Sequence, residues 1–479
     1  MSRVDMERED FWYNPEARSA GAIPSGAKAG QYLFLSAQTS VNLESGKIIR
    51  DFVDLSPEVS EKLSTNSHLV DAHYGPIMAQ TWTIYQNISA ILNKQGASLS
   101  DIIQQRIFLR DGRDTGWMEK VMLSFFPGEK PTTLIMGVPS QGLHEDIRVW
   151  VDVIALLPED GGLRKETICL EELEKVTSPY PQAVKVGQFL FFMGLTGINP
   201  ITGRPVSTLE ELKSEARAVY LEGKFDNFTS EPARCQYWLA FMGHLEKIMK
   251  SQKATLNDLL VLEGFSRSGM KDECDREYLA KKTWGEPQNA PLRFHFGNSC
   301  LSAISNVAAI WGGVALLPGR HQKEMAFYGK RETVALHPCV TKAGPFAFGG
   351  GVGYNVPKQG SFTSFSDLAD DVARNGRFLV QSRVDSNHPI TTKAWHIYHI
   401  AFTRAHVKPS QVLHQTVYLK NVSEWPAVEN IARIVFGGNL PPTTIIPVDD
   451  IAFYWKYRMT VPEAIGGEML EMMFRYVTE

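Results

Sequence analysis

Cysteine is scarce in this chain, since five cysteines among 479 residues are too few and too scattered for a disulfide scaffold. No two of them have the C-x-x-C spacing that is typical of structural zinc sites. No apolar run approaches the ~18 residues that a membrane-spanning helix needs. The first residues, MSRVDMEREDFWYN, are charged and lack the apolar core of a signal peptide. We therefore expect a cytoplasmic protein that has no membrane partner.

Charge of one sign is equally scarce, because the formal net charge is only −4 and no basic block stands out. A nucleic-acid partner is therefore not expected. Hydrophobic residues make up 43% and charged residues 21%, which is typical of a globular protein. A chain of this length exceeds a single core and predicts about three domains.

The chain contains three copies of one sequence pattern. VWVDVIALLPED at 149–160 resembles AIWGGVALLPGR at 309–320, and each follows a proline, Pro131 or Pro291, by the same distance. In the third copy, Pro442 precedes FYWKYRMTVPE at 453–463, which we take as the matching strand. Three tryptophans repeat at nearly the same interval, namely Trp82, Trp238 and Trp395. Such a repeat predicts one supersecondary unit used three times.

Each copy predicts the same order of elements. A glycine turn with a β-rich run comes first, as in AGQYLFLS at 29–36, VGQFLFFMG at 186–194 and AGPFAFGGG at 343–351. An amphipathic helix opens at each tryptophan, and a strand, a helix and two strands follow. This mixture predicts an α+β fold with a mixed sheet and two helices on one face. We expect domains at 1–160, 163–320 and 327–479.

Several segments resemble the RidA (YjgF/YER057c/UK114) family of imine deaminases. SPYPQAVKVGQFLFFMGLTGINPITG at 178–203 matches the start of such a module, and GASLSD at 96–101 and FFPGEKPTTLIMGV at 125–138 match later parts. Modules of that family form homotrimers with active sites in the clefts between subunits. The resemblance therefore implies that the three copies form an intramolecular pseudo-trimer, either monomeric or assembled into a higher homo-oligomer.

The family mechanism implies an arginine that binds the substrate carboxylate and an acidic residue that activates water. The arginine position corresponds to Arg293 in PLRFHF, and to Thr133 and Thr444 in the other copies. The acidic position corresponds to Asp152, Gly312 and Lys456. The copy that keeps the arginine thus lacks the acid, so Asp152 is a candidate that belongs to another copy.

Arg293 and His295 are two residues apart in a predicted strand, so both side chains would point to one face. A guanidinium grips a carboxylate with two hydrogen bonds, and a histidine can transfer protons near neutral pH. The alternative is that Arg293 is a structural ion-pair partner and His295 an interface residue. Tyr180 matches a family tyrosine that lines the cleft, and Ser36 matches the serine of the family's VSGQ segment, so both are candidate substrate-binding residues. Ordinary packing would also explain Tyr180, and a turn would explain Ser36.

Other motifs give weaker indications. His396 and His399 lie one helical turn apart, but no matching carboxylate is visible, so no metal is expected. Cys300 is more simply a buried thiol than a nucleophile. GGGVG at 349–353 lacks the lysine–serine pair of a phosphate loop, and a strand turn with close backbone approach explains it better.

The sequence therefore predicts a deaminase or C–N hydrolase that needs neither metal nor organic cofactor. Its substrate would be a small carboxylate-bearing imine, enamine or conjugated amine, with a role in aromatic catabolism. The rival hypothesis is a non-catalytic binding or regulatory protein that uses a degenerate cleft.

Overall fold

The structure is a computed structural model. It describes residues 6–16, 22–139, 143–212, 231–267, 284, 289–298, 306–327, 338–352, 394–395, 397–398, 401–402, 407–451 and 470–478. Within these ranges the fold is α+β, with three large sheets that correspond to the three sequence copies. In the described part of the chain, no helix is long and apolar enough to cross a membrane.

The first copy forms a six-stranded sheet with helices on one face. Its strands are β1 (Glu9–Phe11), β2 (Gly26–Ala29), β3 (Tyr32–Leu35), β4 (Ile102–Leu109), β5 (Thr132–Gly137) and β6 (Val149–Leu156), in the order β1-β2-β3-β6-β4-β5. Its helices are α1 (Pro57–Leu63), α2 (His68–Lys94) and α3 (Thr115–Leu123). Strand β4 pairs parallel with β5 and antiparallel with β6, so the sheet is mixed as predicted.

The second copy repeats this arrangement. Its strands are β7 (Lys165–Ile168), β8 (Ala183–Val186), β9 (Phe189–Thr196), β10 (Ile198–Asn199), β11 (Arg204–Pro205), β12 (Leu259–Arg267), β13 (Leu292–Asn298) and β14 (Ala309–Leu316). Helix α4 is Glu174–Thr177, and α5 (Glu231–Trp238) continues through a π-helical stretch, Leu239–Leu245, into α6 (Glu246–Ser251). The central strand β12 pairs parallel with β13 and antiparallel with β14, like its counterpart β4.

The third copy supplies β15 (Lys323–Phe327), β16 (Pro338–Ala343), β17 (Phe346–Val352), β18 (Val412–Leu419), β19 (Thr443–Pro447), β20 (Asp450–Ile451) and β21 (Leu470–Val477). Residues 394–395, 397–398 and 401–402 are helical, and α7 is Trp425–Val435. Strand β20 leaves its own copy and pairs with β13 of the second.

Two details of the predicted elements are wrong. The strand that matches β6 in the third copy is β21, because Leu470 pairs with Leu419 and Tyr476 with Val412, whereas the predicted match at 453–463 lies outside the described residues. Helix α2 also begins at His68, well before Trp82, and it accommodates Pro76 in its interior. The segment before Trp82 contains Gly75 and Pro76, which obscure the helical period.

The copies share an interior. Each sheet has helices on one face, and the opposite faces of all three sheets contribute to one apolar cluster, which includes Tyr32, Phe189 and Phe346. These three residues occupy the same place after the glycine turn of each copy, and the rings of Tyr32 and Phe346 are 4.9 Å apart. The helix faces form separate clusters, one for each copy. Burial of the inner faces therefore joins the copies, because none of these sheets covers its inner face alone.

Candidate functional site

In the first copy, a buried chain of hydrogen bonds joins Tyr85, Gln105 and Thr133, and we call this group the Thr133 corner. Thr133 lies opposite Gln105 on the parallel neighbouring strand, and Gln105 Nε2 donates to its hydroxyl over 3.0 Å. The Thr133 hydroxyl donates to Pro131 O, and the hydroxyl of Tyr85 on α2 donates to Gln105 Oε1 over 2.8 Å. All of these polar groups are buried and paired. Thr133 therefore holds the strand corner and carries no charge with which to bind a carboxylate.

The third copy repeats this corner. Gln415 Nε2 donates to the Thr443 hydroxyl over 2.9 Å, Thr443 donates to Pro441 O, and the Tyr398 hydroxyl donates to Gln415 Oε1 over 2.9 Å. The counterpart of Thr133 is thus Thr443 and not Thr444, which corrects our alignment. Two successive prolines, Pro441 and Pro442, made the alignment ambiguous by one residue.

The second copy has different chemistry at the same three positions. Arg293 replaces the threonine, and it lies opposite Leu262 in the same parallel register. Leu262 replaces the glutamine, and Phe241, three residues after Trp238, replaces the tyrosine. The Arg293 guanidinium stacks over the ring of Trp284, with Cζ 5.1 Å from the ring centroid. A half-buried cation beside apolar and aromatic side chains is therefore present in this copy, where the others have a neutral Tyr–Gln–Thr chain.

His295 lies on the same strand as Arg293, opposite Gly264 in the backbone register. Its side chain lies outside the described residues, as do His396, His399 and Cys300. Among the described residues, no group of three or more histidine, cysteine or acidic side chains could hold a metal ion. Residues 349–352 of the glycine-rich run lie within β17, where a Cβ on Gly350 would come 2.3 Å from Phe294 Cζ. Close approach between copies is thus the reason for glycine here.

Tyr180 lies against the helix-side core of the first copy, together with Tyr85 and Met122. Its hydroxyl donates to Glu119 Oε1 over 2.6 Å. Burial raises the pKa of Tyr180, and the neighbouring Glu119 carboxylate raises it further. The structure therefore places Tyr180 beside the Thr133 corner, whereas Arg293 lies in the helix-side region of the second copy with Trp284.

Ser36 lies at the junction of the first and third copies. Its hydroxyl donates to Pro24 O over 2.6 Å and accepts from Thr443 N over 3.0 Å. Ala37 N also donates to Thr443 O. The corresponding junction of the first and second copies joins Met193 N to the Thr132 hydroxyl over 2.9 Å. Ser36 therefore connects two copies at the Thr443 corner, and the structure does not bring it to Arg293.

Asp152 lies in a buried charged cluster between the copies. It pairs with Arg106 across β6 and β4, with Arg106 Nε 3.0 Å from Oδ1, and its other oxygen accepts from Thr444 of the third copy over 2.7 Å. Arg106 Nη1 reaches Glu263 Oε2 of the second copy over 2.8 Å, and Nη2 donates to the Thr416 hydroxyl over 2.9 Å. Burial alone would raise the pKa of Asp152, but Arg106 holds it below the usual value.

His414 and Arg475 extend this cluster in the third copy. Arg475 Nη1 donates to His414 Nδ1 over 3.0 Å, so the other ring nitrogen carries the proton and donates to the Thr444 hydroxyl. Burial lowers the pKa of His414 well below its ordinary value, and the neighbouring Arg475 lowers it further. We did not predict this cluster. The signal in the sequence was the presence of charged residues within strand runs, namely Arg106 in IIQQRIFL, Asp152 in VWVDVIAL and Glu263 in LLVLEGF.

Residues 59–157 match the family model described as Endoribonuclease L-PSP. The predicted family resemblance is confirmed. A RutC family protein of Pyrococcus abyssi is 25% identical over 150 residues, which cover 31% of this chain and 98% of that protein. The 3-aminoacrylate deaminase RutC of Acinetobacter baylyi is 38% identical over 76 residues, which cover 16% of this chain and 59% of that protein.

Among solved structures, a putative endoribonuclease from Klebsiella pneumoniae is 27% identical. It covers 28% of this chain and 98% of its own, with a TM-score of 0.27. The match to the family model spans the first copy from α1 to the end of β6. It therefore includes the Thr133 corner and excludes Arg293.

Proposed function

We propose that this chain is a deaminase that hydrolyses a C–N bond of a small carboxylate-bearing imine, enamine or conjugated amine. The carrying observation is the exchange of a neutral Tyr–Gln–Thr corner for Phe241, Leu262 and Arg293 in the second copy. A relative named as a 3-aminoacrylate deaminase supports the reaction class, since an aminoacrylate is an enamine that bears a carboxylate.

Arg293 would hold the substrate carboxylate through two parallel hydrogen bonds, which orients the C=N carbon toward a water molecule. Water adds to that carbon while the nitrogen takes up a proton. The C–N bond then breaks, ammonia leaves, and a carbonyl remains. His295, two residues along β13, is the proposed proton-transfer group. Asp152 suits this role less well, because its oxygens are engaged by Arg106 and Thr444.

The same proposal includes the assembly. The three copies would form an intramolecular pseudo-trimer with one arginine-bearing cleft, located between the second and third copies. This arrangement is supported by the shared inner core and by contacts between each pair of copies. The proposal also includes a division into domains at 1–160, 163–320 and 327–479. It further includes a location in the cytoplasm, a role in aromatic catabolism, and independence from cofactors and nucleic acid.

Ammonia release by the purified chain from freshly generated 2-aminoacrylate, 3-aminoacrylate or 2-aminomuconate tests this function. Arg293→Ala should lower kcat/KM about 30- to 1,000-fold, because a charge-assisted two-bond contact is worth roughly 2–4 kcal/mol. Arg293→Lys keeps the charge and loses the paired geometry, so it should be only partly active. His295→Gln should lower kcat more than it raises KM.

Thr133→Ala is the matched control, because it changes the equivalent corner of the first copy. It should leave kcat/KM near that of the unmodified chain. All variants must remain folded at the assay temperature, as judged by circular dichroism. Normal turnover by folded Arg293→Ala would place the site elsewhere. Cleavage of RNA without ammonia release would refute the deaminase proposal.

The second candidate is a non-catalytic binding protein. It is favoured by the two threonine corners, where hydrogen bonds within the fold occupy the polar groups. Thermal protection by a small carboxylate without turnover would support this candidate, and loss of that protection in Arg293→Ala would assign the binding site.

A further inference from the structure

Three corresponding positions of the central strands meet in the buried charged cluster. Arg106 lies opposite Asp152, Glu263 opposite Gly312, and Thr416 opposite Met473, so the three residues share one register position in their copies. Arg106 bonds directly to both of its counterparts, Glu263 and Thr416. All three are almost fully buried, with at most 1% of their surface exposed. The equivalent positions are thus in contact, yet their chemistry differs in each copy.

Glu263 depends on the other copies for its counter-ions. The first copy supplies Arg106 at 2.8 Å, and the third supplies Arg475 at 3.7 Å. The positions that hold His414 and Arg475 in the third copy are occupied by Val261 and Val314 in the second. Within its described residues, the second copy therefore brings an acid to the interior without a cation to balance it. A buried carboxylate that lacks a partner is strongly unfavourable.

We infer that this buried cluster selects the packing partners of the second copy. The charges of the second copy are complementary to those of the first and third copies of the same chain and are not complementary to those of another second copy. A ring of three second copies would gather three Glu263 carboxylates in the interior. In the observed arrangement Asp152 and Glu263 both pair with Arg106, and Glu263 also lies near Arg475. The inference rests on the pseudo-trimer of the proposed function and adds the reason why unlike copies combine.

A double-mutant cycle on the full-length chain tests the inference. Arg106→Met removes one positive charge from the cluster and Glu263→Met one negative charge, whereas the double variant removes one of each. Each single variant should lower the thermal midpoint by roughly 3–5 °C, and the double variant should lose clearly less than the sum of the two. The exposed pair Lys185–Glu166, with nitrogen and oxygen 2.7 Å apart, is the matched control and should give nearly additive shifts.

Additive shifts of the thermal midpoint for Arg106 and Glu263 would overturn the inference, since substitutions at residues that do not interact have additive effects on stability. If the methionine variants do not fold, Arg106→Gln and Glu263→Gln form a milder cycle, because each removes its charge and keeps a hydrogen-bonding group, and additivity there has the same meaning. Light scattering separates this failure from that of the pseudo-trimer. A one-chain particle with an additive cycle contradicts only the charge selection, whereas a three-chain particle in which each copy packs against its own equivalents contradicts the pseudo-trimer itself.

Discussion

At the scale of single residues, the three corners show how one position has acquired two kinds of chemistry. Thr133 and Thr443 are each fixed by a glutamine on the neighbouring strand and a tyrosine on the helix. Arg293 instead has leucine and phenylalanine at those positions and stacks on Trp284. A neutral chain that satisfies itself contributes to stability, whereas a guanidinium carries the charge and the paired N–H geometry that recognise a carboxylate.

The tyrosines of the two neutral corners should therefore be structural. Tyr85→Phe leaves the Gln105 carbonyl oxygen buried without its donor, which should lower the free energy of unfolding by roughly 1–3 kcal/mol. Tyr398→Phe should have a similar effect through Gln415. Neither should change kcat for ammonia release by more than a small factor. Urea unfolding followed by circular dichroism measures the loss.

Tyr32→Phe is the control for this comparison. The Tyr32 hydroxyl is buried and has no hydrogen-bond partner within the described residues, so its removal should cost about 0.5 kcal/mol or less. A loss for Tyr32→Phe as large as that for Tyr85→Phe would show that the corner hydrogen bonds are not the cause.

At the scale of elements, local patterns were predictable and long-range pairings were not. The glycine turns before β3, β9 and β17 are present, because Gly30, Gly187 and Gly344 each adopt a positive φ. The strand β21 was missed because 453–463 also has strand-like residues, and partner strands decide between such segments. The charged cluster was unpredictable, since Arg106 and Glu263 are 157 residues apart.

The strand β15 illustrates a junction between copies with a measurable pH effect. Lys323 Nζ donates to Asn257 O and Asn289 O of the second copy, both over 2.9 Å. Burial lowers the pKa of Lys323 to about 8, and Asp258 opposes this only in part. Because the unfolded chain keeps its proton up to a higher pH, stability should rise with pH between about 8 and the ordinary lysine value near 10.5.

Lys323→Met should remove this contribution, so its thermal midpoint should show a smaller rise, or a steeper fall, than that of the unmodified chain across this window. Lys250→Met, at an exposed helix position, is the matched control and should follow the unmodified chain. Differential scanning calorimetry at a series of pH values gives the comparison. Identical pH profiles for Lys323→Met and Lys250→Met would contradict the effect of burial.

At the scale of the whole molecule, the account depends on unlike copies of one chain packing together. The inner faces of the three sheets contribute to one core, and each described junction joins a different pair of copies. Ser36 meets Thr443 at the junction of the first and third copies. In a ring of like copies, Ser36 would instead face Thr133, which is the equivalent residue of its own copy.

A disulfide trap distinguishes these two arrangements directly. In the full-length chain, Ser36→Cys with Thr443→Cys should form a cross-link within one chain, because Ser36 Oγ lies 3.0 Å from Thr443 N. The matched pair Ser36→Cys with Thr133→Cys should form none. Mass spectrometry after non-reducing digestion, together with the mass of the oxidised particle, gives the result. A cross-link between chains through Ser36→Cys and Thr133→Cys, without one between Ser36→Cys and Thr443→Cys, would contradict the intramolecular pseudo-trimer.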